Sequence, residues 1–145
     1  NIPVDYAFLS NSRRYVQLTT RLLELKKEQE HAQASPVRVI ATSNVTNVNG
    51  SFDYTLNYNS LIDRDAEIID NSFVMLLNVL VKAGVSQAAC AGFDGYSVGG
   101  DMDYRIGKEK SMNLNSYVKN VLKKLSGSFQ AEFITDSWYE EKQSH

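Results

Sequence analysis

The chain has 145 residues, 43% of them hydrophobic and 22% charged, a size and balance that suit one globular domain. Its formal net charge is −2 at pH 7, so no global basic field exists to draw in nucleic acid or an anionic membrane surface. A single cysteine excludes an internal disulfide and points to a cytoplasmic setting, and no apolar run approaches the roughly 20 residues that span a bilayer.

The chain opens on Asn1-Ile2-Pro3 without an initiator Met, almost directly ahead of a strand-like run. The expectation is therefore a piece of a larger polypeptide. Val4 to Leu9 alternates around β-favouring residues and predicts a strand, closed by the turn and N-cap signal Ser10-Asn11-Ser12. From Arg13 the period changes: Tyr15, Leu18, Leu22 and Leu25 fall at helical spacing, and the helix should fade near His31, ahead of Ser35-Pro36. Val37 to Ala41 is a second β-branched run, closed by Thr42-Ser43-Asn44. An Asn- and Gly-rich turn leads to Phe52–Tyr58, which alternates strictly and predicts an edge strand.

Asp70-Asn71-Ser72 supplies the next N-cap. Phe73 to Ala83 is apolar nearly all round, as a buried helix is, and Gly84 stands where such a helix ends. Val85 to Phe93 follows as a central strand ending at Asp94-Gly95. The stretch from Tyr96 to Asn113 shows no strong period and reads as a long connection, with Gly99-Gly100-Asp101 resembling a lid. Leu114, Tyr117, Val118, Val121, Leu122 and Leu125 predict the last helix. Ala131 to Thr135 predicts the last strand, and the remainder reads as tail.

This alternation implies a Rossmann-like, three-layer α/β/α fold with a mainly parallel sheet. One domain is expected over 1–137, with a tail over 138–145. In open sheets of this kind ligands bind beyond the carboxyl ends of the strands. Those ends carry the candidate binding residues Ser10, Asn11, Arg13, Thr42, Ser43, Asn44, Asn71, Ser72, Asp94 and Gly95. Helices starting near Ser12 and Asn71 would aim free N–H groups at an anion such as phosphate. Arg13 and Arg14 offer bidentate donors for phosphate or carboxylate, against the plain alternative of a solvated helix face. Asp94 can accept from a ribose or sugar hydroxyl, or serve as a general base, against the plain alternative of a turn residue before Gly95. Strand ends favour Ser, Asn, Asp and Gly whatever their function.

Metal and hydrolase chemistry find little support. The two histidines, His31 and His145, are far apart in sequence, and Cys90 lies in the apolar run Ala88-Ala89-Cys90-Ala91, so neither a zinc site nor a Ser-His-Asp triad assembles from them. Asp63, Asp65 and Glu67 do not complete a calcium loop and read as surface charge.

Three ordered segments carry a resemblance: Asp5-Tyr6-Ala7-Phe8-Leu9-Ser10-Asn11 with Arg13-Arg14-Tyr15; Asp70-Asn71-Ser72 with Met75-Leu76-Leu77 and Gly84-Val85; and Ala91-Gly92-Phe93-Asp94-Gly95-Tyr96-Ser97. Together, over about residues 4 to 100, they resemble the C-terminal domain of bacterial 4-hydroxy-2-oxovalerate aldolase-like or hydroxymethylglutaryl-CoA-lyase-like proteins. The resemblance implies an N-terminal TIM-barrel aldolase domain in the same parent chain, carrying the metal site and the lyase chemistry. It also implies a preceding strand and Gly-containing loop upstream of Asn1. A shorter likeness, from Asn71-Ser72 through Gly92-Phe93-Asp94, is to sialyltransferase-like and pterin-diphosphokinase-like nucleotide enzymes.

The leading expectation is an accessory domain that binds a nucleotide, nucleotide-sugar or phosphorylated metabolite. One rival is a nucleotide-dependent transferase with Asp94 as base. Another is an interaction module that forms a homodimer through the Phe52–Tyr58 edge.

Overall fold

The computed structural model describes residues 3–47, 52–99 and 106–140. Within them the chain is an α/β protein, with three helices and short strands that pair in parallel in two small sheets. It divides into two compact units, Asn1–Ile62 and Asp63–His145.

In the first unit, strand β1 (Tyr6–Leu9) leads into helix α1 (Ser12–His31), which returns the chain to β2 (Arg38–Thr42). The third strand, β3 (Tyr54–Leu56), completes the order β1-β2-β3. Register runs from Tyr6 opposite Arg38 to Leu9 opposite Ala41, and from Ile40 opposite Tyr54 to Thr42 opposite Leu56. Parallel neighbours need a crossover, and α1 supplies it. The period-two alternation of Val39 and Ala41 sends both toward a core of Leu9, Tyr15 and Val45, with Leu22 and Phe52 packed against it. Tyr15 meets Phe52 edge to face, with ring centroids 4.9 Å apart.

The inward face of α1 departs from the expected stripe at Leu18. Tyr15 is buried and Thr19, Leu22, Leu25 and Gln29 are half-buried, while Leu18 is exposed. Two polar residues can face inward because their hydrogen bonds are met: the Thr19 hydroxyl donates to the Tyr15 carbonyl at 2.7 Å. The Gln29 amide donates to the Val4 carbonyl at 2.9 Å and accepts from the Val37 amide at 2.6 Å. Gln29 thus latches the starts of the first two strands to the far end of the helix.

The edge strand is shorter than expected. Asp53 exchanges two bonds with Val39, one through its own amide at 2.8 Å and one through its carboxylate at 2.6 Å. Asn57 then caps a single 3₁₀ turn over Tyr58–Ser60, which ends the extended run.

In the second unit, Asn71 caps helix α2 (Ser72–Lys82) and Gly84, at φ +80°, follows its end. Strand β4 (Gln87–Cys90) pairs with β5 (Gln130–Phe133), from Gln87 opposite Gln130 to Cys90 opposite Phe133. Helix α3 (Lys108–Leu125) precedes β5. Phe73, Val74, Leu77, Cys90, Val118, Phe129 and Tyr139 form the core.

Several sequence expectations are corrected in this unit. The fourth strand is shorter than Val85–Phe93, because Gly92, at φ +72°, turns the chain just after it. The last helix begins at Lys108, inside the stretch expected to be a connection. Its first turn is polar and its N-cap is Gly107, which has no side chain to announce the start. The expected tail is folded in: Tyr139 is 7% exposed and stacks on Phe73 with centroids 5.6 Å apart and planes at 9°. Asp63 is also more than surface charge, since its carboxylate accepts from the Tyr117 hydroxyl at 2.9 Å and from the Asp65 amide at 3.1 Å. Gly100 and Asp101 of the expected lid, residues 48–51 of the expected turn, and His145 lie outside the described residues.

Among the described residues, no helix is long and apolar enough to cross a membrane.

Candidate functional site

The carboxyl ends of β1 and β2 bring Ser10, Asn11, Ser12, Thr42 and Asn44 together, as the parallel register requires. What the structure adds is that these groups largely satisfy one another. The Asn44 amide donates to the Ser10 carbonyl at 3.1 Å, and the Thr42 hydroxyl donates to the Asn44 side-chain oxygen. The Ser12 hydroxyl donates to the Asn44 carbonyl at 3.4 Å and accepts from the Thr46 amide at 3.1 Å. Ser43 accepts from the Tyr58 amide at 3.1 Å. Thr42 is buried, where an unpaired hydroxyl is costly, while Ser43 and Asn44 are exposed, and their hydrogen bonds tie the rim of the first sheet together.

The expected free N–H groups at the helix starts are also engaged. The Asn11 side chain accepts from the amides of Arg13 at 2.8 Å and Arg14 at 3.3 Å. Asn71 accepts in the same way from Phe73 at 3.1 Å and Val74 at 3.2 Å. Each helix therefore brings its own anionic-end substitute, a capping asparagine, and the amide cradle expected for phosphate is occupied by side chain. Arg13 stands apart from this mesh. It is exposed on the first turn of α1, and its guanidinium has no partner among the described residues, whereas Arg14 donates to Gln17 at 3.3 Å.

In the second unit the start of α2 and the end of β4 meet through a ring stack. Phe73, two residues after Asn71, lies on Phe93, just before Asp94, with centroids 4.3 Å apart. Asn71 and Ser72 precede the first of these rings in the chain, and Asp94 and Gly95 follow the second. The loop that carries Asp94 is fastened on every side. Gly92 donates to the Thr135 hydroxyl at 2.9 Å, and the Ser137 hydroxyl donates to the Phe93 carbonyl at 2.6 Å. The Trp138 amide donates to the Asp94 carbonyl at 2.8 Å. Asn115, 5% exposed, grips Tyr96 by both backbone groups, accepting from its amide at 2.9 Å and donating to its carbonyl at 2.6 Å.

Gly95 sits at the centre of this clamp at φ +81°. A Cβ there would lie 3.0 Å from Asn115 Oδ1, Trp138 Cβ and Tyr139 Cε1. Glycine is needed both for the backbone conformation and for the space. The Asp94 carboxylate itself is exposed and has no partner among the described residues. Asn115, Trp138 and Tyr139, which build the loop, were not among the residues singled out from sequence. The one signal for them was an aromatic pair, Trp138-Tyr139, inside an otherwise polar C-terminal stretch.

The titratable groups follow their surroundings. Burial pushes the Tyr139 phenol up to about 12, with the neighbouring Tyr96 adding to the effect. Burial also raises the Tyr117 phenol, helped by its bond to Asp63, and raises the Cys90 thiol. A buried thiol held in its neutral form is a poor nucleophile. The Val39 amide holds the Asp53 carboxyl below its ordinary range, against some desolvation and with help from Lys26. The His31 ring is bonded through Nδ1 to the Lys27 carbonyl at 2.7 Å. Among the described residues no group of three His, Cys, Asp or Glu side chains is placed to hold a metal ion.

A groove of about 930 Å³ runs along β5 and α3, with Leu122, Phe129 and Phe133 in its walls and Lys119, Lys123 and Glu132 among its polar lining. None of the sequence-derived site residues lines it. In comparison with known proteins, no family model, curated protein or solved structure matches this chain.

Proposed function

We propose that this chain is a ligand-binding accessory domain that takes a phosphorylated metabolite or nucleotide at the carboxyl ends of its parallel strands. The lyase chemistry of its parent, a chain with an N-terminal TIM-barrel aldolase domain, is carried elsewhere. The parent's identity rests on the three ordered segments that resemble such proteins. The binding activity rests on one structural observation.

That observation is the charge at the start of α1. The positive end of a helix dipole favours acidic residues, yet the first turn of α1 contains none and carries Arg13 and Arg14 instead. Each such cation costs about 0.3–1 kcal/mol at an exposed helix start. Arg13 stands there exposed and unengaged, at the rim where β1 ends. An arrangement unfavourable to the unliganded fold is relieved by an anion, and a guanidinium can hold phosphate through two parallel bonds. With the helix amides already taken by Asn11, the arginine is the anion-binding group.

Thermal unfolding with and without inorganic pyrophosphate tests this. The wild-type melting temperature should rise with pyrophosphate, by linkage. Arg13→Gln should melt slightly higher than wild type without ligand and lose the pyrophosphate response. A wild type indifferent to pyrophosphate, or an Arg13→Gln variant that keeps the full response, rejects the proposal.

A further inference from the structure

The second unit leaves two unlike groups on neighbouring stretches of backbone, both outside its aromatic stack. Asp94 and Trp138 are joined by a backbone hydrogen bond of 2.8 Å, so their side chains depart from adjacent points of the main chain. The Asp94 carboxylate is exposed. Trp138 is 43% exposed and takes no part in the aromatic stack formed by Phe73, Phe93 and Tyr139. Its neighbour Tyr139 is buried in that stack, so the chain spends one aromatic of the pair on the core and leaves the other at the surface.

We infer that Asp94 and Trp138 form a recognition pair for a ring bearing vicinal hydroxyls, the ribose of a nucleoside or a free sugar. An ionised carboxylate only accepts hydrogen bonds, and two adjacent hydroxyls supply two donors for its two oxygens. An indole face offers a flat apolar surface for a nucleobase or for the C–H face of a sugar, and its N–H adds a donor at the edge. The pair is preorganised. Asn115 holds Tyr96, Ser137 holds Phe93, and Gly95 fits between Asn115, Trp138 and Tyr139 with no room for a side chain. A loop fixed before binding loses little conformational entropy when the ligand arrives. Its position at the carboxyl end of a parallel strand is where α/β proteins place an acidic residue against sugar hydroxyls.

This inference rests on the preceding section only for the class of ligand. Its residues lie in the second unit, and its test uses ligands without phosphate.

Trp138 is the single tryptophan of the chain, so fluorescence excited at the red edge, beyond the absorption of the tyrosines, reports on this position alone. The full 145-residue chain is titrated with adenosine, with 2′,3′-dideoxyadenosine and with a free hexose. Adenosine should quench or shift the emission saturably. Dideoxyadenosine, lacking both hydroxyls, should bind about tenfold more weakly or worse, the loss expected for hydrogen bonds to a charged group. Asp94→Asn should weaken adenosine by a similar factor while leaving the unliganded spectrum and melting temperature unchanged. Quenching by adenosine alone assigns the indole to a nucleobase, and quenching by the hexose as well assigns it to the sugar ring.

Emission unmoved by both adenosine and hexose overturns the pair. So does equal binding of adenosine and its dideoxy form, or undiminished binding by Asp94→Asn. Pyrophosphate stabilisation with silent fluorescence would sink this inference and leave the arginine proposal standing. Fluorescence quenching without a pyrophosphate effect would do the reverse.

Discussion

The rims of the two sheets are built from similar residues and put them to opposite uses. At the end of β1 and β2, Ser12, Thr42 and Asn44 bond to one another and to nearby carbonyls and amides, so the polar cluster is a seal. At the end of β4, backbone groups, the buried side chains of Asn115 and Ser137 and the exposed Thr135 hydroxyl hold the loop, and the Asp94 carboxylate is left out. Polar composition at a strand end therefore does not identify a binding residue. What separates the two rims is the head group left over after the fold's own hydrogen bonds are counted.

The largest test of this contrast is Gly95→Ala. A left-handed backbone position with three heavy atoms at 3.0 Å from the new Cβ should cost about 2–4 kcal/mol, read as a lower urea midpoint. A cost below about 0.5 kcal/mol would mean that the loop is not clamped. Next in size is the alkaline limb of stability. The Tyr139 phenol is raised from 10.0 to about 12 in the folded chain, so its contribution is intact below pH 10 and lost as pH rises toward 12. Tyr139→Phe should flatten that decline, and an unchanged alkaline unfolding profile would contradict the burial described. The seal in the first unit is tested by Asn11→Ala, which removes the cap of α1 and should cost about 1 kcal/mol. Smallest of all, Asp94→Asn should leave stability within about 0.5 kcal/mol of wild type, because its carboxylate holds nothing in place. A larger loss would move Asp94 from the binding side of the contrast to the structural side.

Much of the fold was legible in the sequence, because period and caps are local signals. Asn11 and Asn71 announced the starts of α1 and α2, and the β-branched run at Val37 announced β2. Where a local signal was missing, the reading slipped. Gly107 gives α3 no capping side chain, and the polar Lys108-Glu109-Lys110 turn hides the period that begins with Ser111. The inward turn of Gln29 depends on carbonyl and amide partners from two strands, so Leu18 looked the better core residue from spacing alone. The candidate residues were found, but their uses were not. Asn44 meets Ser10 across 34 positions of chain, and Asn115 meets Tyr96 across 19. No periodicity encodes such pairings.

The parallel ladders also set an order of assembly. A ribosome delivers β1, β2 and β3 by Leu56, so the first ladder has every strand it needs while the rest is still being translated. Strand β4 is in a different position. It emerges at Gln87 and its ladder mate ends at Phe133, so through the synthesis of α3 the alanines and cysteine of β4 have no β5 beside them. Through that interval the segment is open to non-native pairing, as unpaired strand edges are.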